Sequence, residues 1–336
     1  MKQAVKSLKA LSLVAHFYGT DRDLFGKGLY PSTNRGTFLY ILSETDTYGR
    51  LKGLVAVGAS ENGSDGTIRA ASASLDSSVK LEVNFIDPAH PQVNIITQSP
   101  VFKLVKECNH STIVPSPNDT AVHPAFKIIK QCLSIQNTTQ YTTLRNTFDT
   151  ENEQLYEENK VYRKDNESVD PINRFQQFIV RVLDNMGNAV SDYRLDFHIV
   201  DNSIQRSTWT AQSPPPALDK YSDYNVRIIE KVISDVEQHS VEPSYRTFFI
   251  NIDELNKLLG DLGSAHPNAY VSLNLDALPS APGVSYNTDL IKYVGLNSSF
   301  NGKSFVKKNT STLVEIRLQI QAFTISQRQL SQTSAN

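Results

Sequence analysis

Apolar runs in the first 135 residues follow both strand-like and helix-like patterns. Short continuous apolar runs are typical of strands covered on both faces, and they include "ALSLVAHF", "LKGLVAVGA", "VKLEVNF" and "PVFKLVKE", with "TFLYIL" as a further apolar run. In contrast, "HPAFKIIKQCLSI" places Phe126, Ile129, Cys132 and Leu133 on one helical stripe. This mixture predicts an α/β layer structure for residues 1–135.

The pattern changes after residue 135. Residues 136–173 are polar with few apolar positions, which predicts a linker or a mobile surface segment. Strand-like runs then dominate residues 174–325: "FQQFIVRVLD", "YRLDFHIVD", "YRTFFINI", "AYVSLNLDAL" and "STLVEIRLQI". A turn at "DNMGNAV" predicts a hairpin between the first two runs, and "DELNKLLGDLG" predicts a short helix. We therefore expect a β-rich, sandwich-like C-terminal domain.

Composition excludes several classes of protein. The chain has 336 residues and a net charge of −2, so a strongly basic nucleic-acid surface is not indicated. Its two cysteines cannot build a disulfide framework, and its seven histidines show no metal-binding spacing, so we expect no metal and no cofactor. We recognise neither a transmembrane segment nor a signal peptide, and the expected location is the cytoplasm.

Two residues are candidates for acid–base chemistry. Asp65 lies in "GSDGT" behind an apolar strand, and His110 lies in "NHSTIV" behind another. Loops at the carboxyl ends of parallel strands converge, so an aspartate there could orient a histidine that takes the proton from a serine. The alternatives are that Asp65 is a turn former and that His110 caps a helix or donates to a carbonyl.

Three segments resemble the lipase and esterase branch of the α/β-hydrolase family: "VKSLKALSLVAHFYGTD", "SDGTIRAASASLD" and "NHSTIV", in this order. The resemblance implies a partial α/β-hydrolase sheet in residues 1–135, with Asp65 as the triad acid and His110 as the triad base. The stretch "NTSTLVEIRL", Asn309 to Leu318, is also similar to the final strand of an extra β domain in some bacterial lipase-like hydrolases.

A nucleophilic serine in a G-x-S-x-G elbow is absent from the sequence. Ser60 lies too near Asp65 to serve, and the resemblance places the elbow upstream of Met1. The leading hypothesis is a carboxylic-ester hydrolase of lipase, esterase or phospholipase type that acts on an ester or lipid substrate. One alternative is an inactive remnant or a binding module whose β-rich half contacts lipid, glycan or protein. Another is a split enzyme in which a separate N-terminal chain carries the nucleophile.

Overall fold

The structure is a computed structural model that describes a little over half of the chain. The described residues are 40–44, 69–74, 79–84, 92–95, 100–106, 108, 112–114, 123–164, 173–201, 221–278, 284–287, 299–300, 303–304 and 306–322. Both candidate residues, Asp65 and His110, lie outside these ranges, as do the predicted strands "ALSLVAHF" and "LKGLVAVGA".

The described residues form thirteen strands and five α-helices. The strands are β1 Tyr40–Glu44, β2 Val79–Asn84, β3 Gln92–Ile95, β4 Val101–Val105, β5 Phe175–Asp184, β6 Tyr193–Asp201, β7 Ile233–Gln238, β8 Tyr245–Asn251, β9 Ala269–Ala277, β10 Val284–Asn287, β11 Ser299–Phe300, β12 Lys303–Ser304 and β13 Thr310–Ala322. The helices are α1 Ala70–Ala73, α2 Pro124–Leu133, α3 Thr138–Lys164, α4 Ser222–Arg227 and α5 Ile252–Ala265. A π-helical turn, Ile228–Val232, joins α4 to β7.

A seven-stranded mixed sheet holds most of the strands. Its order is β3-β2-β13-β5-β8-β7, and β10 pairs with the far end of β13. β13 runs parallel to both β2 and β5, and residues on both of its faces are buried, including polar ones such as Ser311 and Glu315. The sheet therefore takes strands from both sides of residues 136–173.

A two-stranded ribbon of β6 and β9 packs against this sheet. Phe248 of β8 stacks on Phe178 of β5 at 5.3 Å between ring centroids, and its ring meets Phe197 of β6 edge-on at 4.9 Å. Leu255, Leu258 and Leu262 of α5 complete the same apolar core. Helix α5 begins where the side chain of Asn251 accepts a hydrogen bond from the Glu254 amide, as an N-cap residue does.

The turn after β5 forms as predicted and closes with a single antiparallel bridge, but β5 and β6 do not pair as a hairpin beyond it. Oδ1 of Asp184 accepts hydrogen bonds from the amides of Met186 and Asn188, and Gly187 takes a φ of 87°. The predicted strand pairing within the hairpin is wrong because β5 pairs with β13 and β8, whereas β6 pairs with β9 in a separate two-stranded sheet. The turn thus sends the chain from one layer to the next.

The polar segment 136–173 is not a linker where the structure describes it. Residues 138–164 form the 27-residue helix α3. Its buried side chains recur at helical spacing: Tyr141, Phe148, Asn152, Leu155 and Tyr156. The stripe is narrow and one member is polar, so the average composition of the segment hides it. The prediction of a linker is therefore wrong for residues 138–164.

Arg174, just before β5, connects α3 to the β-rich half. Its guanidinium lies 2.8 Å from Glu153 of α3 and forms an ion pair with Asp253 of α5.

The described residues form mixed sheets accompanied by helices, as the predicted α/β class requires. The sandwich-like arrangement and the extents of the predicted domains stay predictions.

Candidate functional site

The candidate site is built around the parallel strands β1 and β4. Tyr40 lies opposite Val101 and Glu44 lies opposite Val105, so both strands end at the same edge. In open α/β sheets, the loops beyond this edge form the ligand-binding crevice. His110 follows Val105 by five residues in the sequence. Because His110 and Asp65 lie outside the described residues, the structure does not show whether they meet.

The free edge of β4 is covered by side chains of α3 in place of a strand. The amide of Leu104 donates to Oδ1 of Asn152 at 2.9 Å, and Nδ2 of Asn152 donates to the carbonyl of Phe102 at 2.9 Å. One buried asparagine therefore supplies both the acceptor and the donor that a neighbouring strand would offer. This protects an edge that would otherwise invite pairing with another chain.

Two further contacts bind β4 to α3. The amide of Val101 donates to the hydroxyl of Tyr141 at 3.0 Å. The Lys103 ammonium pairs with Glu151 at 2.8 Å and lies 5.4 Å from the centroid of the Phe148 ring. All five residues of β4 are buried. The strand that leads to His110 is thus fixed along its whole length.

His123 connects the segment beyond β4 to helix α2. It is the N-cap of α2: its Nδ1 accepts a hydrogen bond from the Ala125 amide at 3.2 Å, and Pro124 stands at the first helical position. Its Nε2 lies 2.8 Å from the carbonyl oxygen of Thr112 and 4.0 Å from Sγ of Cys108. Cys108 and Thr112 stand on either side of His110 in the sequence.

Described residues also follow Asp65 closely in the sequence. Arg69 is buried, and its guanidinium carbon lies 4.6 Å from the ring centroid of Phe175 and 4.5 Å from that of Phe249. These contacts are cation–π interactions. Helix α1 begins at the next residue, and the hydroxyl of Ser311 donates to the carbonyl of Ala71 at 3.2 Å. Arg69 and Ala71 are therefore anchored on the seven-stranded sheet.

His123 does not form a nucleophile–base pair with Cys108, and Cys132 is not an activated thiol. Nδ1 of His123 already accepts from Ala125, and its Nε2 must donate to Thr112 because a carbonyl oxygen only accepts. No ring nitrogen is then left to take the proton of the Cys108 thiol. Burial raises the pKa of Cys132 to about 11, which holds that residue as a thiol at neutral pH.

Metal-binding groups and membrane-spanning helices are absent from the described ranges. Among these residues, no three His, Cys, Asp or Glu side chains gather into a group that could hold a metal ion. No helix in the part of the chain that the structure describes is both long and apolar enough to cross a membrane.

Sequence reasoning missed both His123 and Asn152. A proline directly before an amphipathic run, as in "HPAFKIIKQCLSI", is a signal of a helix start that could have identified His123 as a cap. Asn152 had no sequence signal of its own, because its role depends on a strand about fifty residues earlier in the chain.

No protein-family model and no curated protein sequence matches this chain. Among solved structures, phospholipase PlaB from Legionella pneumophila is similar in fold, with a TM-score of 0.62 and 19% sequence identity over 88% of this chain. Two PlaB structures match. The match covers 62% of the PlaB chain in the complex with thio-NAD and 60% of the PlaB chain in the second structure. The chain thus spans about three-fifths of the length of the PlaB chains it matches. At this identity the likeness shows a phospholipase-like fold.

Proposed function

We propose that this chain carries the acid and the base of a serine hydrolase that cleaves carboxylic esters of lipids. The proposal rests on one observation: the segment with His110 follows a buried parallel strand, β4, in a chain whose fold is similar to that of a phospholipase. The order of the Asp65 and His110 motifs in the sequence supports the same reading.

Each residue has a defined role in this proposal. The carboxylate of Asp65 accepts a hydrogen bond from one ring nitrogen of His110, which fixes the tautomer and stabilises the imidazolium. The other ring nitrogen takes the proton of the serine hydroxyl as the oxygen attacks the ester carbonyl, and it then returns the proton to the leaving alcohol. Water repeats the cycle on the acyl-enzyme.

The serine has to come from outside this sequence, since it contains no G-x-S-x-G elbow. The comparisons do not support a separate N-terminal chain, and the proposal does not depend on one. It requires only that the polypeptide assayed contains the region encoded upstream.

The test is ester hydrolysis by the chain expressed together with the polypeptide encoded immediately upstream. We expect cleavage of a p-nitrophenyl ester and of a phospholipid. His110→Ala should lower kcat by at least about 10³-fold, because loss of one triad member removes most of the chemical acceleration. Asp65→Asn should lower it by a similar order.

The matched control is His266→Ala. His266 ends helix α5, and its ring packs edge-on against Tyr221 at 4.9 Å, so this change should leave kcat within about twofold. Full activity in His110→Ala would exclude the triad assignment. Failure of the unmodified protein to cleave any ester would exclude the hydrolase proposal and favour a binding module.

A further inference from the structure

We propose that His123 is a positioning residue that fixes Cys108 and Thr112, the described residues that flank His110 in the sequence. The inference rests on the proposed function for its catalytic consequence, but the contacts that carry it lie among described residues. Nε2 of His123 is within reach of two residues that flank His110 in the sequence: 2.8 Å from the Thr112 carbonyl and 4.0 Å from the Cys108 thiol.

The hydrogen bonds define which ring nitrogen carries the proton. The Ala125 amide is a donor, so Nδ1 of His123 must present its lone pair. The Thr112 carbonyl is an acceptor, so Nε2 must carry the hydrogen. One imidazole thereby joins the first turn of α2 to Thr112 beyond β4. A second-layer histidine of this kind orients without touching substrate, as the outer partners of other site histidines do.

Apolar packing also holds the start of helix α2 against the end of β4. Cys108 is only 2% exposed and lies in one apolar cluster with Val105, the last residue of β4, and Ala125 of α2. Ile113 packs against this cluster from the other side of His110 in the sequence. Cys108 and Ile113 are therefore held near the end of β4 by packing, in addition to the contacts of the imidazole.

Asparagine at position 123 separates the two roles of the imidazole. Asparagine is a favourable N-cap residue, so His123→Asn keeps the cap on α2. Its side chain is shorter than that of histidine, so it loses the bond to Thr112. His123→Ala loses both. If the contact with Thr112 matters, the two variants should behave alike.

The first measurement is thiol labelling of this chain, without any requirement for activity. Cys108 and Cys132 are the only cysteines, and mass spectrometry of peptides distinguishes them. We expect the labelling rate of Cys108 to rise roughly fivefold in both His123 variants, because a lost hydrogen bond raises local opening by about that factor. Cys132 labelling and circular dichroism should not change, and His266→Asn is the matched control. An unchanged Cys108 rate would overturn the inference.

The second measurement is the kinetics of the completed hydrolase. We expect His123→Asn to lower kcat by at least about tenfold with KM within about twofold, because misplacing a catalytic group affects the transition state more than substrate binding. If labelling rises and kcat is unchanged, His123 does not position the base. If the unmodified protein shows no hydrolysis while labelling still responds, the proposed function fails and only the structural contact stands.

Discussion

Replacement of Asn152 by alanine tests the assignment of α3 as the cover of the β4 edge. The change removes the acceptor of the Leu104 amide and the donor to the Phe102 carbonyl, and all three residues are buried. A buried polar group left without a partner costs about 1–3 kcal/mol, so two of them cost roughly 2–6 kcal/mol. This is a large part of the roughly 5–15 kcal/mol that stabilises a typical domain.

Hydrogen exchange and urea unfolding measure this loss directly. We expect the Leu104 amide to exchange faster by the factor that corresponds to the lost free energy, about tenfold for each 1.4 kcal/mol. The urea midpoint should fall without a change in the slope of the transition. Asn146→Ala is the matched control, because Asn146 lies on the exposed face of the same helix. Alanine there should be neutral or should stabilise the helix by up to about 0.7 kcal/mol.

The reasoning would be refuted if Asn152→Ala and Asn146→Ala had the same stability and the same Leu104 exchange rate. Asn152→Asp gives a further check. A carboxylate can still accept from Leu104 but cannot donate to Phe102, so we expect a loss at neutral pH that becomes smaller when the carboxyl is protonated in acid.

Two other changes test single features of the fold. Gly187→Ala should destabilise the protein by about 1 kcal/mol because Gly187 has a φ of 87°. Gly260→Ala in helix α5 should instead stabilise it by up to about 1 kcal/mol. Equal urea midpoints for the two variants would contradict both expectations. Burial raises the pKa of Cys132 from 9.0 to about 11, so the folded thiol keeps its proton where the unfolded thiol has lost it. Stability should therefore fall as the pH rises from about 9 towards about 11, and this part of the pH dependence should be missing from Cys132→Ala.

The sequence pattern was a good guide to local structure in the β-rich half. The runs that became β5, β8 and β13 are rich in β-branched and aromatic residues, and helix α5 begins after a capping asparagine and carries an apolar stripe. Those signals act within one element, so they can be read without knowing its neighbours.

Partner choice could not be predicted in the same way. β5 was expected to pair with β6 because a turn joins them, but its neighbours in the sheet are β8 and β13. Burial on both faces of β5 favours an interior position with partners from distant parts of the chain. Helix α2 shows a similar limit, since Leu133 on the predicted stripe is 80% exposed while Ala125 is buried.

Only those residues of the candidate site that stand in a recognisable motif could be predicted from the sequence. Asp65 and His110 stand in such motifs, and their assignment stays a prediction. Asn152 acts through backbone groups about fifty residues away in the sequence, so no local pattern marks it as important. The start of helix α2 has a local signal at His123, but the contact of His123 with Thr112 has none.

Helix α3 couples the candidate site to the β-rich half of the chain. Asn152 and Tyr141 of this helix bind the backbone of β4, the strand before His110. From the same buried stripe, the hydroxyl of Tyr156 donates to Asn309 at 3.0 Å, just before β13, and the Asn309 amide donates to the carbonyl of Phe175 in β5 at 2.8 Å. Tyr156 and Asn152 lie one turn apart on the same helix, so both sets of contacts depend on the position of α3. The segment whose composition predicts a linker is thus a packed helix where the structure describes it, and we expect a variant that loosens the start of β13 also to loosen β4.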